Sequence, residues 1–156
     1  MRREQVAKDV EEKAFEFFFW FSRFEFALKA NHYLVSQEPG ARAEPNWDLF
    51  VRRFEDGFRP SFEAERLVEL RPRMQVVGPQ MELEWRTVGT SHCRTELCKV
   101  TASLRTVRNN LFHGGKHGDQ DQDNALRNLE LLATSKVVLD QLAVLAGFGP
   151  DYTREY

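Results

Sequence analysis

The chain has 156 residues, a length suited to one domain, and 42% of them are hydrophobic, enough for a real core. That composition argues against wholesale disorder. A net charge of −2 argues against a surface coated in cations for non-specific nucleic-acid binding, while leaving room for a local basic site.

No apolar run reaches the roughly 18 residues that a membrane span needs. The first residues, MRREQVAKDVEEK, are charged and lack an apolar signal core. Cys93 and Cys98 are the two cysteines, too few for a disulfide framework at this size. A reduced, cytoplasmic protein with no membrane contact is expected.

Residues 3–36 read as one long helix, rich in Glu, Lys, Ala and Gln and uninterrupted by Gly or Pro. Of the 13 phenylalanines, seven fall between Phe15 and Phe26. The stretch FEFFFWFSRFEFALKA is apolar almost all round, which predicts burial on more than one face. A second subunit or the chain itself can supply that cover. Arg23 and Glu25 interrupt the aromatics. A spacing of two puts them on different faces, so each either finds its own partner or reaches solvent past the rings.

Residues 37–46 form a Pro- and Gly-containing loop. Asn46 is placed to cap a short amphipathic helix ending near Gly57, and Ser61 to cap another that stops at Pro72. Residues 73–91 are expected to be irregular with short extended pieces such as 82–86, and Val76, Val77, Leu83 and Trp85 are expected to pin a loop to the core. A two-stranded ribbon is the weaker alternative.

From about 91 to 112, Leu97, Val100, Leu104, Val107 and Leu111 step by three and four, the stripe of an amphipathic helix. Gly114 and Gly115 stop it. A third long helix is expected over about 122–147, with acidic residues near its start and Gly147, Gly149 and Pro150 at its end. The sum is a single all-α domain over 1–156: a helical bundle with an irregular insertion between the N-terminal helix and the helix of residues 91–112.

Candidate chemistry gathers at RTVRNNLFHGGKHG, residues 105–118. A metal site there is not expected. His92, Cys93, Cys98, His113 and His117 are all potential ligands, but the cysteines lack C-x2-C spacing, and glycines break the helix that would align the two later histidines. No cofactor motif is present either, because GGKHG follows a helix and not a strand. On a continuous helix Arg108 and His113 would not share a face. A helix that ends between them, with glycines beyond, lets His113 fold back toward Arg108. The same cations also suit an ordinary helix C-terminus.

The segment RNNLFH fits R-x(4–6)-H with a polar residue after the arginine. With the flanking FHGGK and the earlier FSRFEFALK it resembles the HEPN superfamily of all-α domains, many of which are RNases. The resemblance covers most of the chain, 108–116 being its most specific part and 39–90 adding little. It implies a metal-independent endoribonuclease that forms one composite cleft across a homodimer, with Arg108 and His113 catalytic and Asn109 supporting. Lys116, Arg105 and His117 are the further candidates for RNA contact, and Glu25 or Arg23 for buttressing Arg108. The resemblance also implies partners: RNA, and a nucleotidyltransferase-like antitoxin or another protein. Inactive HEPN domains that only bind are the alternative it carries.

Overall fold

The computed structural model describes residues 8–112 and 122–153. The described chain is largely helical and carries one two-stranded sheet. Helices α1 (Lys8–Ala30), α2 (Trp47–Phe54) and α3 (Phe62–Glu69) precede strands β1 (Arg73–Val77) and β2 (Leu83–Thr87). Helices α4 (Glu96–Phe112), α5 (Gln122–Ala146) and α6 (Gly149–Thr153) complete it.

Helix α1 ends sooner than its composition predicts. Its last turn closes when His32 takes the left-handed conformation, φ 66°. The Tyr33 N–H then donates to Leu28 O at 2.9 Å and the His32 N–H to Lys29 O at 3.1 Å. This is the double hydrogen bond that usually employs glycine. A histidine there leaves no glycine or proline signal to read.

One stripe of α1 is fully buried. Phe17, Phe21, Phe24, Ala27 and Leu28 lie in the core, with α5 (Leu132, Val138, Leu139, Leu142) and α4 (Leu97, Val100, Leu104) among its other contributors. The expected α4 stripe is thus the buried one, with Leu111 partly buried at its end. Trp47 stacks on Phe21 and Phe24, with ring centroids 5.5 and 5.2 Å apart, and Phe50 meets Phe24 edge-on. Phe15, Phe18, Phe19 and Phe26 stay exposed, so the core takes up one side of the aromatic helix among the described residues.

The caps fall where the sequence puts them. Asn46 Oδ1 accepts from the Leu49 N–H at 2.9 Å, and Ser61 Oγ accepts from the Ala64 N–H at 3.1 Å. Helix α5 ends in the same double bond as α1, here with Gly147 at φ 69°. Gly149 and Pro150 do not merely end it. They open α6, where Pro150 occupies the first turn and its missing N–H costs nothing.

Residues 73–87 correct the expected loop. They form an antiparallel ribbon in which Arg73 faces Thr87 and Val77 faces Leu83. Val77 and Leu83 are exposed at 69% and 66%, so they do not anchor anything. The ribbon is attached through its backbone. Asn110 Nδ2 of α4 donates to Arg73 O at 2.6 Å, and Arg127 Nη2 of α5 donates to Leu70 O at 2.7 Å just before it.

Cys93 and Cys98 form a disulfide, with Cα atoms 5.3 Å apart. This corrects the reading of both as free thiols. The turn at Thr90–Cys93 bends the chain back across the first turn of α4, where Cys98 sits.

Candidate functional site

Helix α4 carries the candidate residues Arg105, Arg108 and Asn109 toward its C-terminal end. Arg105 and Asn109 are exposed and Arg108 is half-buried. Arg108 Nη1 donates to Asn109 Oδ1 at 3.0 Å, which fixes the amide beside the guanidinium. The Arg108 guanidinium also stands 5.8 Å from the ring centroid of Phe21 on α1, within reach of a cation–π attraction.

These side chains line a hollow of about 240 Å³ between α1, α4 and the start of α2. Its other walls are Phe21, Glu25, Arg42, Glu44, Pro45 and Trp47. Glu25 accepts a hydrogen bond from Trp47 Nε1 at 3.2 Å, so the indole orients the carboxylate. Charge in the hollow is mixed: Arg42, Arg105 and Arg108 face Glu25 and Glu44.

Of the two buttressing candidates, Glu25 shares this hollow with Arg108. Arg23 is directed at α6. Its Nε donates to Tyr152 O at 3.2 Å and its Nη2 to Asp151 O, and its guanidinium lies 5.0 Å from the Phe26 ring centroid. That answers how an arginine sits in an aromatic helix at 9% exposure: backbone carbonyls at the end of the chain receive it. His113, Lys116 and His117 lie outside the described residues.

Sequence reasoning missed Arg42, Glu44 and Trp47. They arrive because the loop after α1 folds back through a bridge between Leu34 and Pro45, with Val35 N–H donating to Glu44 O at 3.0 Å. The Pro- and Gly-containing loop and the Asn46 cap showed that the chain turned there, but not which side chains it would return to Arg108.

A second hollow of about 250 Å³ lies along the other half of α4. Asp48, Arg52 and Glu55 of the α2 region line it together with His92, Arg94, Cys98 and Arg105. Arg105 borders both hollows. Among the described residues, no helix is long and apolar enough to cross a membrane.

No protein-family model matches the chain, and neither the curated proteins nor the solved structures yield a significant match.

Proposed function

We propose that this chain is a metal-independent endoribonuclease of the HEPN type, working as a homodimer on single-stranded RNA. The observation that carries the reading is the joined pair Arg108–Asn109 at the end of α4, opening on a hollow against the aromatic helix. His113 follows Phe112, the last residue of that helix, in the sequence.

The chemistry asks little of the protein. RNA supplies its own nucleophile, the 2′-OH, so the enzyme moves a proton, aligns the attack and steadies the charged transition state. Arg108 stays cationic and offers a planar fork to phosphate oxygens. Asn109 holds that fork in place. A histidine with a reference pKa of about 6.5 exchanges protons near neutral pH. In a dimer, two copies of His113 supply an acid and a base. The products are a 2′,3′-cyclic phosphate and a 5′-OH end. Lys116, Arg105 and His117 would hold neighbouring phosphates. The HEPN-like bundle belongs to the same proposal.

The exposed stripe Phe15, Phe18, Phe19 and Phe26 supports the dimer, since contiguous apolar area at a surface marks an interface. Phe15→Glu with Phe19→Glu should convert a dimer to a monomer in sedimentation velocity. A wild type that sediments as a monomer at all concentrations removes the composite cleft.

The test of activity is cleavage of an end-labelled single-stranded RNA in EDTA, with product ends mapped. Wild type should cut RNA and spare DNA of the same sequence, while Arg108→Ala and His113→Ala should not cut. Full activity in His113→Ala would refute the mechanism. The mixed charge of the hollow favours a second reading, a non-catalytic module that binds RNA, a nucleotide or a protein such as a nucleotidyltransferase-like antitoxin. Retained RNA binding with no cleavage by wild type would select it.

A further inference from the structure

The start of α4 brings together three groups that the cleavage chemistry does not use. His92, Cys93 and Cys98 each offer one donor atom, and the three atoms lie within 4.8 Å of one another. Cys93 Sγ is 3.5 Å from His92 Nε2. The backbone around them is held by other contacts. Thr95 Oγ1 accepts from the Cys98 N–H at 3.4 Å and donates to Glu55 Oε2 of the residue that follows α2, at 3.2 Å. The Cys93 N–H donates to Thr90 O at 2.9 Å. His92 and Cys98 also line a hollow with Asp48 and Glu55, so two carboxylates share its lining.

We propose that the reduced protein binds one zinc-like divalent cation through His92, Cys93 and Cys98, and that formation of the Cys93–Cys98 disulfide releases it. The donor set selects the ion. Two thiolates and an imidazole are the ligands of a borderline-soft, tetrahedral cation such as Zn²⁺, and calcium or magnesium would require oxygen. Two thiolates also balance the charge of a divalent ion. Cys98 lies in the first turn of α4 and is held there by its N–H bond to Thr95 Oγ1. Asp48 and Glu55 line the same hollow as His92 and Cys98, and a carboxylate or water would complete the four ligands.

The chemistry balances. Two equivalents of a thiol reductant convert the disulfide to two thiols and become a disulfide themselves. Cation binding then displaces the two thiol protons. In reverse, a disulfide oxidant takes two electrons from the bound thiolates, leaves as two thiolates, and the cation departs. Both cysteines are half-buried, with the exposed His92 beside them, so an exchanging thiol approaches from the His92 side.

The test uses the full chain, reduced with a phosphine under anaerobic conditions and titrated with Co²⁺. Thiolate-to-cobalt charge-transfer absorption should saturate at one ion per chain, and Zn²⁺ should bleach it. The oxidised wild type should show none, and needs no substitution to serve as the folded comparison. His92→Ala should keep the absorption with affinity lowered at least about tenfold, while Cys93→Ser and Cys98→Ser should each lose most of it. Absence of charge-transfer absorption in the reduced wild type at equimolar Co²⁺ overturns the proposal. So does a His92→Ala protein that binds as tightly as wild type, or an oxidised protein that binds as well as the reduced one. None of these readouts involves RNA cleavage.

Discussion

Two arginines meet the aromatic helix α1 in this molecule. Arg23 belongs to it and is 9% exposed, with its donors given to the backbone of Asp151 and Tyr152. Arg108 comes to it from α4, is half-buried, and borders a hollow that opens to solvent. The Arg23 corner is also knitted by Tyr152, whose hydroxyl donates to Asp140 Oδ1 at 2.8 Å, and by Lys136, which pairs with the same carboxylate at 2.5 Å. The Arg108 corner has a carboxylate, Glu25, but orients it through Trp47. An arginine fixed by carbonyls across the fold serves the fold. One fixed by its neighbour beside a hollow can meet a ligand. The same residue type, at two different faces of one helix, therefore divides by whether its donors go to backbone carbonyls or to a side chain that lines a hollow.

The comparison can be broken from the Arg108 side first, where the expected effect is largest. Under the proposed mechanism, Arg108→Ala should lower RNA cleavage by about 100- to 1,000-fold, the usual consequence of removing one transition-state donor. Its melting temperature should hardly move. A large drop in melting temperature would make Arg108 structural, like Arg23.

Arg23→Met tests the other corner. It leaves two carbonyls without their donor and should cost about 2–3 kcal/mol in urea unfolding. RNA cleavage by the protein that remains folded should stay near wild type. If stability is unchanged while cleavage collapses, the two arginines have been assigned the wrong way round.

Tyr152 sharpens the Arg23 corner through pH. Burial, then its bond to Asp140 and the charge there, push its phenol well above the ordinary value near 10. The folded state thus favours the neutral phenol. That contribution is complete below pH about 10, the unfolded value, and fades as pH rises beyond it. Between pH 8 and 11 wild type should lose about 1.4 kcal/mol more stability than Tyr152→Phe. Equal losses would mean the phenol ionises as readily folded as unfolded.

The smallest effect belongs to Asn46→Ala. Loss of the α2 cap should cost about 1 kcal/mol. Because α2 carries Trp47, which walls the Arg108 hollow, cleavage should fall slightly, by less than about tenfold. A cleavage defect as deep as that of Arg108→Ala would mean that the hollow depends on the loop before α2.

Some of this was legible in advance. The α4 stripe from Leu97 to Leu111 and the length of α5 follow from the spacing of apolar residues. Asn46 and Ser61 announce their helices because a side-chain acceptor beside exposed N–H groups is a local matter. The candidate pair Arg108–Asn109 is also local, two neighbours on one helix. Other features left little trace. The β1–β2 ribbon was visible only as the weaker alternative, because its apolar residues read equally well as anchors of an irregular loop. His32 ends α1 in a conformation more often taken by glycine.

By itself, then, the sequence determined the three long helices, the caps and the Arg105–Asn109 segment of α4, since each depends on residues within a few positions of one another. Tertiary structure decided the rest. It sent Arg23 to α6, more than a hundred residues away in the chain, and brought Glu25, Trp47 and Arg42 around Arg108. It also turned Cys93 back onto α4 to meet Cys98 beside His92. These contacts depend on how helices pack and loops return, and no short-range periodicity encodes the direction of a side chain toward a distant element.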